Sequence, residues 1–176
     1  MITKDRYRRP LRLFAAALTL FGAGAPAAAL DCRDRAFRWS DDRPAINRLH
    51  VFCGEIREGR PKGFHSIRLQ DTSAVVTGVA ARSNDRDGIY DATVTFRNGA
   101  TKFSTFFPDV CTVDQVVASI RYAATHVARP HAQWGKLGPS APKDDNHGYC
   151  LDANGDPFDI RMGVLADGRV NTAFPE

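Results

Sequence analysis

The sequence predicts an α+β domain built on antiparallel hairpins, and three observations lead there. Two pairs of strand-like runs are each closed by a tight-turn dipeptide, Asn98-Gly99 in one and Asp167-Gly168 in the other. An apolar stripe at helical spacing opens on a capping box at Thr112. Strands and helices do not alternate along the chain, which excludes a doubly wound parallel sheet.

Residues 1–29 read as a secretory signal peptide. Lys4, Arg6, Arg8, Arg9 and Arg12 form a basic start, Leu13 to Ala29 carries no charge, and Ala27-Ala28-Ala29 supplies the small-residue cleavage site. The apolar stretch is short and rich in Ala and Gly, which disfavours a membrane anchor. A lipoprotein is disfavoured because Asp31 precedes Cys32, where a small residue is needed. The domain proper is expected over residues 30–176, with its core motifs in 45–175, exported to the periplasm or beyond and off the membrane once the signal is cut.

From Ala45 to Glu58, the residues Ile46, Leu49, Phe52, Cys53 and Ile56 recur at helical spacing, with Pro44 as first helical residue, Asp41 or Asp42 as cap and Gly59 as stop. Val75–Ala81 reads as a strand. Ile89–Phe96 alternates Tyr90, Ala92, Val94 and Phe96 against Asp91, Thr93 and Thr95, and pairs through Asn98-Gly99 with Thr101–Phe107. The second main helix runs from Thr112 along Val113, Val116, Val117, Ile120, Ala124 and Val127, and Pro130 stops it. Trp134–Asn146 reads as a loop. Phe158–Leu165 and Arg169–Phe174 form the last hairpin.

The chain has 176 residues, 43% of them apolar and 25% charged, as in ordinary globular proteins. It carries 24 Lys+Arg against 20 Asp+Glu, net +4, which points towards nucleic acid until the charge is located. Residues 1–29 hold five of the basic residues and one Asp, so the exported part has 19 of each sign. Global charge is therefore no argument for nucleic acid. Export also bears on Cys32, Cys53, Cys111 and Cys150: an even count in an oxidising compartment predicts two disulfides, with three pairings open.

There is no phosphate-binding glycine loop, no G-x-S-x-G elbow and no H-E-x-x-H. Asp152-Ala-Asn154-Gly-Asp156 begins like a calcium loop but has Pro157 and Gly163 where Gly and Glu are required, so it reads as a turn. No metal site and no cofactor are expected. His50 lies on or beside the apolar face of the first predicted helix, and His65 follows a turn containing Pro61 and Gly63. Each, alone, is ordinarily a structural histidine; His126, His131 and His147 read as solvated. On the strand after Asn98-Gly99, alternation puts Lys102, Ser104 and Phe106 on one face and Phe103, Thr105 and Phe107 on the other. A lysine amid aromatic residues has a plain reading as an edge-strand charge.

Together, His50-Val-Phe-Cys-Gly-Glu-Ile56, Gly63-Phe-His65-Ser66, Lys102-Phe-Ser-Thr-Phe-Phe-Pro108, the Thr112–Val127 helix and Gly168-Arg-Val-Asn-Thr-Ala-Phe-Pro175 resemble the bacterial form of the EndoU endoribonuclease family in order and spacing. The resemblance implies cleavage of single-stranded RNA, at uridylates, without a metal or cofactor. It implies catalytic roles for His50 as general acid, His65 as general base and Lys102 as charge stabiliser, and nucleotide contacts at Thr172 and Phe174. A base-edge contact at Ser104 or Thr105 follows more loosely. Many members have Tyr where this chain has Phe174, so a hydroxyl contact is lost while ring stacking survives. Cys111 stands where bacterial relatives often have Trp, which suggests a disulfide special to exported members. The local positive charge is expected from Lys102 with Arg60, Lys62 or Arg68. Other readings differ in their partners: an RNase toxin implies an immunity protein, and a non-catalytic exported domain implies RNA or protein binding alone. A metal-dependent hydrolase would lose its activity to a chelator.

Overall fold

The hairpins form where the alternation puts them in the computed structural model, which describes residues 30–81, 87–131, 133–144 and 146–176. The signal-peptide reading falls on residues 1–29, outside the described residues. Strands β3 (Val76–Ala81), β4 (Tyr90–Phe96) and β5 (Thr101–Phe106) make an antiparallel three-stranded sheet in that order, with β5 at one edge. Strands β6 (Arg129–Pro130), β7 (Lys136–Pro139), β8 (Asp159–Val164) and β9 (Val170–Pro175) make an antiparallel four-stranded sheet. The molecule is α+β, as the sequence predicts.

Helix α1 (Val113–Thr125) begins at the Thr112–Gln115 capping box, both halves of which are formed. Its Val116, Ile120 and Ala123 pack on Ile160 and Met162 of β8 and Ala173 of β9, in a core that also takes Val51 and Phe52. A second core lies on the three-stranded sheet, around Phe64, Val94, Phe96 and Phe106.

Two element readings change, apart from α1 ending at Thr125, short of Val127, with Pro130 in β6. The helix predicted over Ala45–Glu58 is one turn of π-helix, Leu49–Cys53. Gly54, at φ 71° and ψ 163°, breaks it. The chain then forms a small hairpin of β1 (Glu55–Arg57) and β2 (Arg60–Lys62) around Glu58-Gly59, both at positive φ. Glutamate is an uncommon first turn residue, so this hairpin carries no Asn-Gly or Asp-Gly signal. Pro44 follows a cis peptide bond and does not open a helix. The second change is in the predicted loop Trp134–Asn146, which contains β7. Gly138 lies so close to α1 that a Cβ there would meet the Ala123 carbonyl oxygen at 2.3 Å. Its glycine serves close packing while its composition reads as a loop.

The four cysteines form Cys32–Cys53 and Cys111–Cys150. The first ties residue 32 to the end of the π-turn; the second ties the loop before α1 to residue 150. Their sequence separations of 21 and 39 correspond to roughly 3 and 4 kcal/mol of loop-closure stabilisation. Reduction should lower the melting temperature. Cys32→Ser/Cys53→Ser should lose more activity than Cys111→Ser/Cys150→Ser, because Cys53 ends the turn that carries His50. Equal activity in the two double variants would contradict that link. Among the described residues, no helix is long and apolar enough to cross a membrane.

Candidate active site

Two main-chain hydrogen bonds stitch the two histidine segments to each other, and a third ties them to Phe107, the residue after β5. Phe64 N–H donates to the His50 carbonyl at 2.7 Å, His65 N–H to Val51 at 2.7 Å, and Phe107 N–H to the His65 carbonyl at 2.9 Å. Upstream, buried Asn47 accepts the His50 N–H through its side chain and donates to Asn171 of β9 at 2.9 Å. The histidines are thus held between the two sheets by backbone geometry, not by side-chain packing alone.

Gly63 makes that stitch possible. It lies at φ 67°, and a Cβ would fall 2.0 Å from the His50 carbonyl oxygen. Phe64 follows at φ 67°, a left-handed value costing a non-glycine residue about 1–2 kcal/mol. Its fully buried ring returns about 2–3 kcal/mol, so burial wins. The kink sends Phe64 into the sheet core and His65 into the cleft. Gly63→Ala should therefore destabilise the fold by roughly 2–4 kcal/mol and cut activity, measured by denaturant melts and turnover. Gly59→Ala has the same backbone strain but open space around it, and should cost only about 1 kcal/mol. Equal penalties at the two sites would contradict the clash.

The cleft, about 780 Å³, is lined by His50, His65, Lys102, Ser104, Thr105, Thr172 and Phe174 among others. Every catalytic and nucleotide-contact residue read from the sequence thus lines one cavity. The two imidazole centroids lie 6.2 Å apart. His50 Nδ1 lies 3.0 Å from Glu55 Oε1, and His65 Nδ1 lies 3.0 Å from the Thr105 carbonyl. Since neither oxygen can donate, each Nδ1 carries the proton and each Nε2 is left for chemistry. The hydrogen bond from His50 holds the Glu55 carboxyl below its ordinary value, with Arg57 and Arg38 adding to it. His65 is buried, and that burial, with the nearby charges of Lys102 and His50, holds its pKa well below 6.5. The ring stacks on Phe174 at 4.9 Å. Lys102 donates to the buried Ser104 hydroxyl. Burial, then repulsion from Lys62, brings the Lys102 pKa down to about 8.

The family model described as bacterial EndoU nuclease matches residues 45–176. The chain belongs to the bacterial EndoU nuclease family. No curated protein and no solved structure matches it.

In this EndoU chain, Lys62 lines the cleft as expected. Arg60 is exposed and does not line it, and Arg68 donates instead to the Cys111 carbonyl. Asp152 caps its own turn by accepting from the Asn154 and Asp156 N–H groups. Among the described residues, no group of three or more His, Cys, Asp or Glu could hold a metal ion.

Sequence reasoning missed Glu55, Trp134 and Arg161, all of which line the EndoU cleft. Glu55 was hidden by the helix reading, in which i and i+5 diverge. Arg161 did leave a signal, as a charged residue between Ile160 and Met162 in a strand pattern.

Proposed function

We propose that this nuclease is an exported endoribonuclease that cleaves single-stranded RNA at uridylates, using His50, His65 and Lys102 and no metal. The observation that supports it is the presence in one cleft of two imidazoles with Nδ1 anchored, beside a half-buried lysine.

In this reading His65, neutral because its pKa lies well below 6.5, accepts the 2′-hydroxyl proton at Nε2. The 2′-oxygen attacks the adjacent phosphorus. His50 delivers a proton from Nε2 to the departing 5′-oxygen, while Glu55 fixes its ring. Lys102, steered by Ser104, stabilises the charge that builds on the phosphorane oxygens. The bond from phosphorus to the 5′-oxygen breaks, leaving a 2′,3′-cyclic phosphate and a 5′-hydroxyl. Thr172 and Phe174 position the nucleoside, with Thr105 at the base edge. Ser104 is buried against Lys102, so it serves the lysine first.

The test uses the oxidised protein and single-stranded oligonucleotides with one variable position in a fixed context. Cleavage is expected after uridine, in preference to cytidine and purines. Equal cleavage after all four bases would overturn the uridylate assignment, and no cleavage of any would overturn the activity.

A further inference from the structure

Each bank of the cleft carries an exposed aromatic ring. Phe103 follows Lys102 on β5 and is 55% exposed, and Trp134 precedes β7 and is 45% exposed. Both line the cleft, and they are the only aromatic residues among the large apolar side chains exposed in the described residues. They belong to different banks: Phe103 sits on the three-stranded sheet, while Trp134 lies against Phe174 of the four-stranded sheet, with ring centroids 5.9 Å apart.

The Trp134 ring is held by a built support. The Arg161 guanidinium lies 4.2 Å from its centroid and donates through Nε to the Trp134 carbonyl at 3.2 Å. Arg161 is itself buried and faces Glu176, whose other carboxylate oxygen pairs with His131 at 2.8 Å. One glycine lets the turn sit close to β8: Gly135 lies at φ 80°, and a Cβ there would strike the Met162 carbonyl at 2.5 Å. A pre-oriented indole over a buried guanidinium is a stacking platform that loses little entropy on binding.

We propose that Trp134 and Phe103 form an aromatic clamp that stacks the two nucleobases flanking the reacting nucleotide. The site then takes at least three consecutive unpaired nucleotides. This rests on the reading of the cleft as an RNA-cleaving site. The centre of the cleft offers cations and imidazoles suited to a phosphate, whereas its rim offers flat apolar rings. Such rings accept any base by its face, and only when that base has left its own stack. The clamp therefore selects single strands without reading the flanking sequence.

The experiment uses pentanucleotides whose only ribonucleotide is a central uridine, with either neighbour normal or abasic. For the wild-type protein, each abasic neighbour should lower kcat/KM roughly 5- to 100-fold, the worth of one stacked base. Trp134→Ala should erase the penalty for one neighbour and Phe103→Ala that for the other, while Trp134→Phe keeps both. Abasic and normal substrates cleaved equally by the wild type would overturn the clamp and leave the ribonuclease reading intact. Penalties that persist in both alanine variants would also overturn it. If no substrate is cleaved, the ribonuclease reading fails, and the clamp is decided by binding. In a Trp39→Phe background the fluorescence of Trp134, the remaining tryptophan, is followed. It should be quenched by a fully deoxy pentanucleotide and much less by its abasic forms, and equal quenching by all of them would overturn the clamp.

Discussion

His65→Ala is expected to lower kcat/KM on RNA by roughly 100- to 10,000-fold, the usual worth of a positioned general base. The loss should be chemical, because the backbone bonds from His65 to Val51 and Phe107 do not depend on the ring. The fold should survive, with a modest cost from the lost contact to Phe174. The pH profile separates a base from a structural ring. In the wild type, activity should fall on acidification only well below pH 6.5, where His65 would protonate. The residual activity of the variant should lack that acid limb. Stability follows the same sign. The unfolded chain binds this proton near pH 6.5 and the folded chain only at lower pH, so the wild type loses stability as pH falls through that interval. The variant should lose less. A variant retaining full activity would remove His65 from the mechanism.

Lys102→Met should separate activity from stability. Turnover should fall roughly 100- to 1,000-fold, the scale of losing one charge-stabilising donor. Stability at pH 7 should rise. The folded pKa of about 8 lies below the ordinary 10.5, so the protonated lysine disfavours folding at every pH below about 8. The penalty fades between about 8 and 10.5, where the unfolded chain holds the proton and the folded chain has released it. Allowing for solvent screening and for the lost bond to Ser104, the gain should be about 1–3 kcal/mol. It should vanish near pH 10.5 and above. A melting temperature lowered at pH 7 would show that Lys102 is held there without cost, contrary to its burial beside Lys62.

The parts of the fold with strong local signals were legible in the sequence. Thr112 and Gln115 announce α1, and Asn98-Gly99 announces β4–β5, because capping boxes and two-residue turns depend on neighbours in the chain. Strand alternation also put Lys102 and Ser104 on one face, which is the pair that forms. What was hidden depends on distant pairing or on one backbone angle. A positive φ at Gly54 turns a helical pattern into a π-turn and a hairpin, and only then does Glu55 reach His50. Trp134 reaches the cleft because β7 pairs with β8 across more than twenty residues of chain, which no local pattern records. The motif order pointed to the site residues, but the tautomers of His50 and His65 come from Glu55 and the Thr105 carbonyl.

The central claim is cleavage by the substrate's own 2′-hydroxyl, driven by the two anchored histidines. An oligodeoxynucleotide with a single ribouridine, incubated with the oxidised protein in EDTA, tests it most directly. It should be cut once, after the uridine, leaving a 2′,3′-cyclic phosphate and a 5′-hydroxyl, and its 2′-O-methyl counterpart should stay intact. Cleavage of the 2′-O-methyl substrate, or products bearing 5′-phosphate ends, would contradict the account.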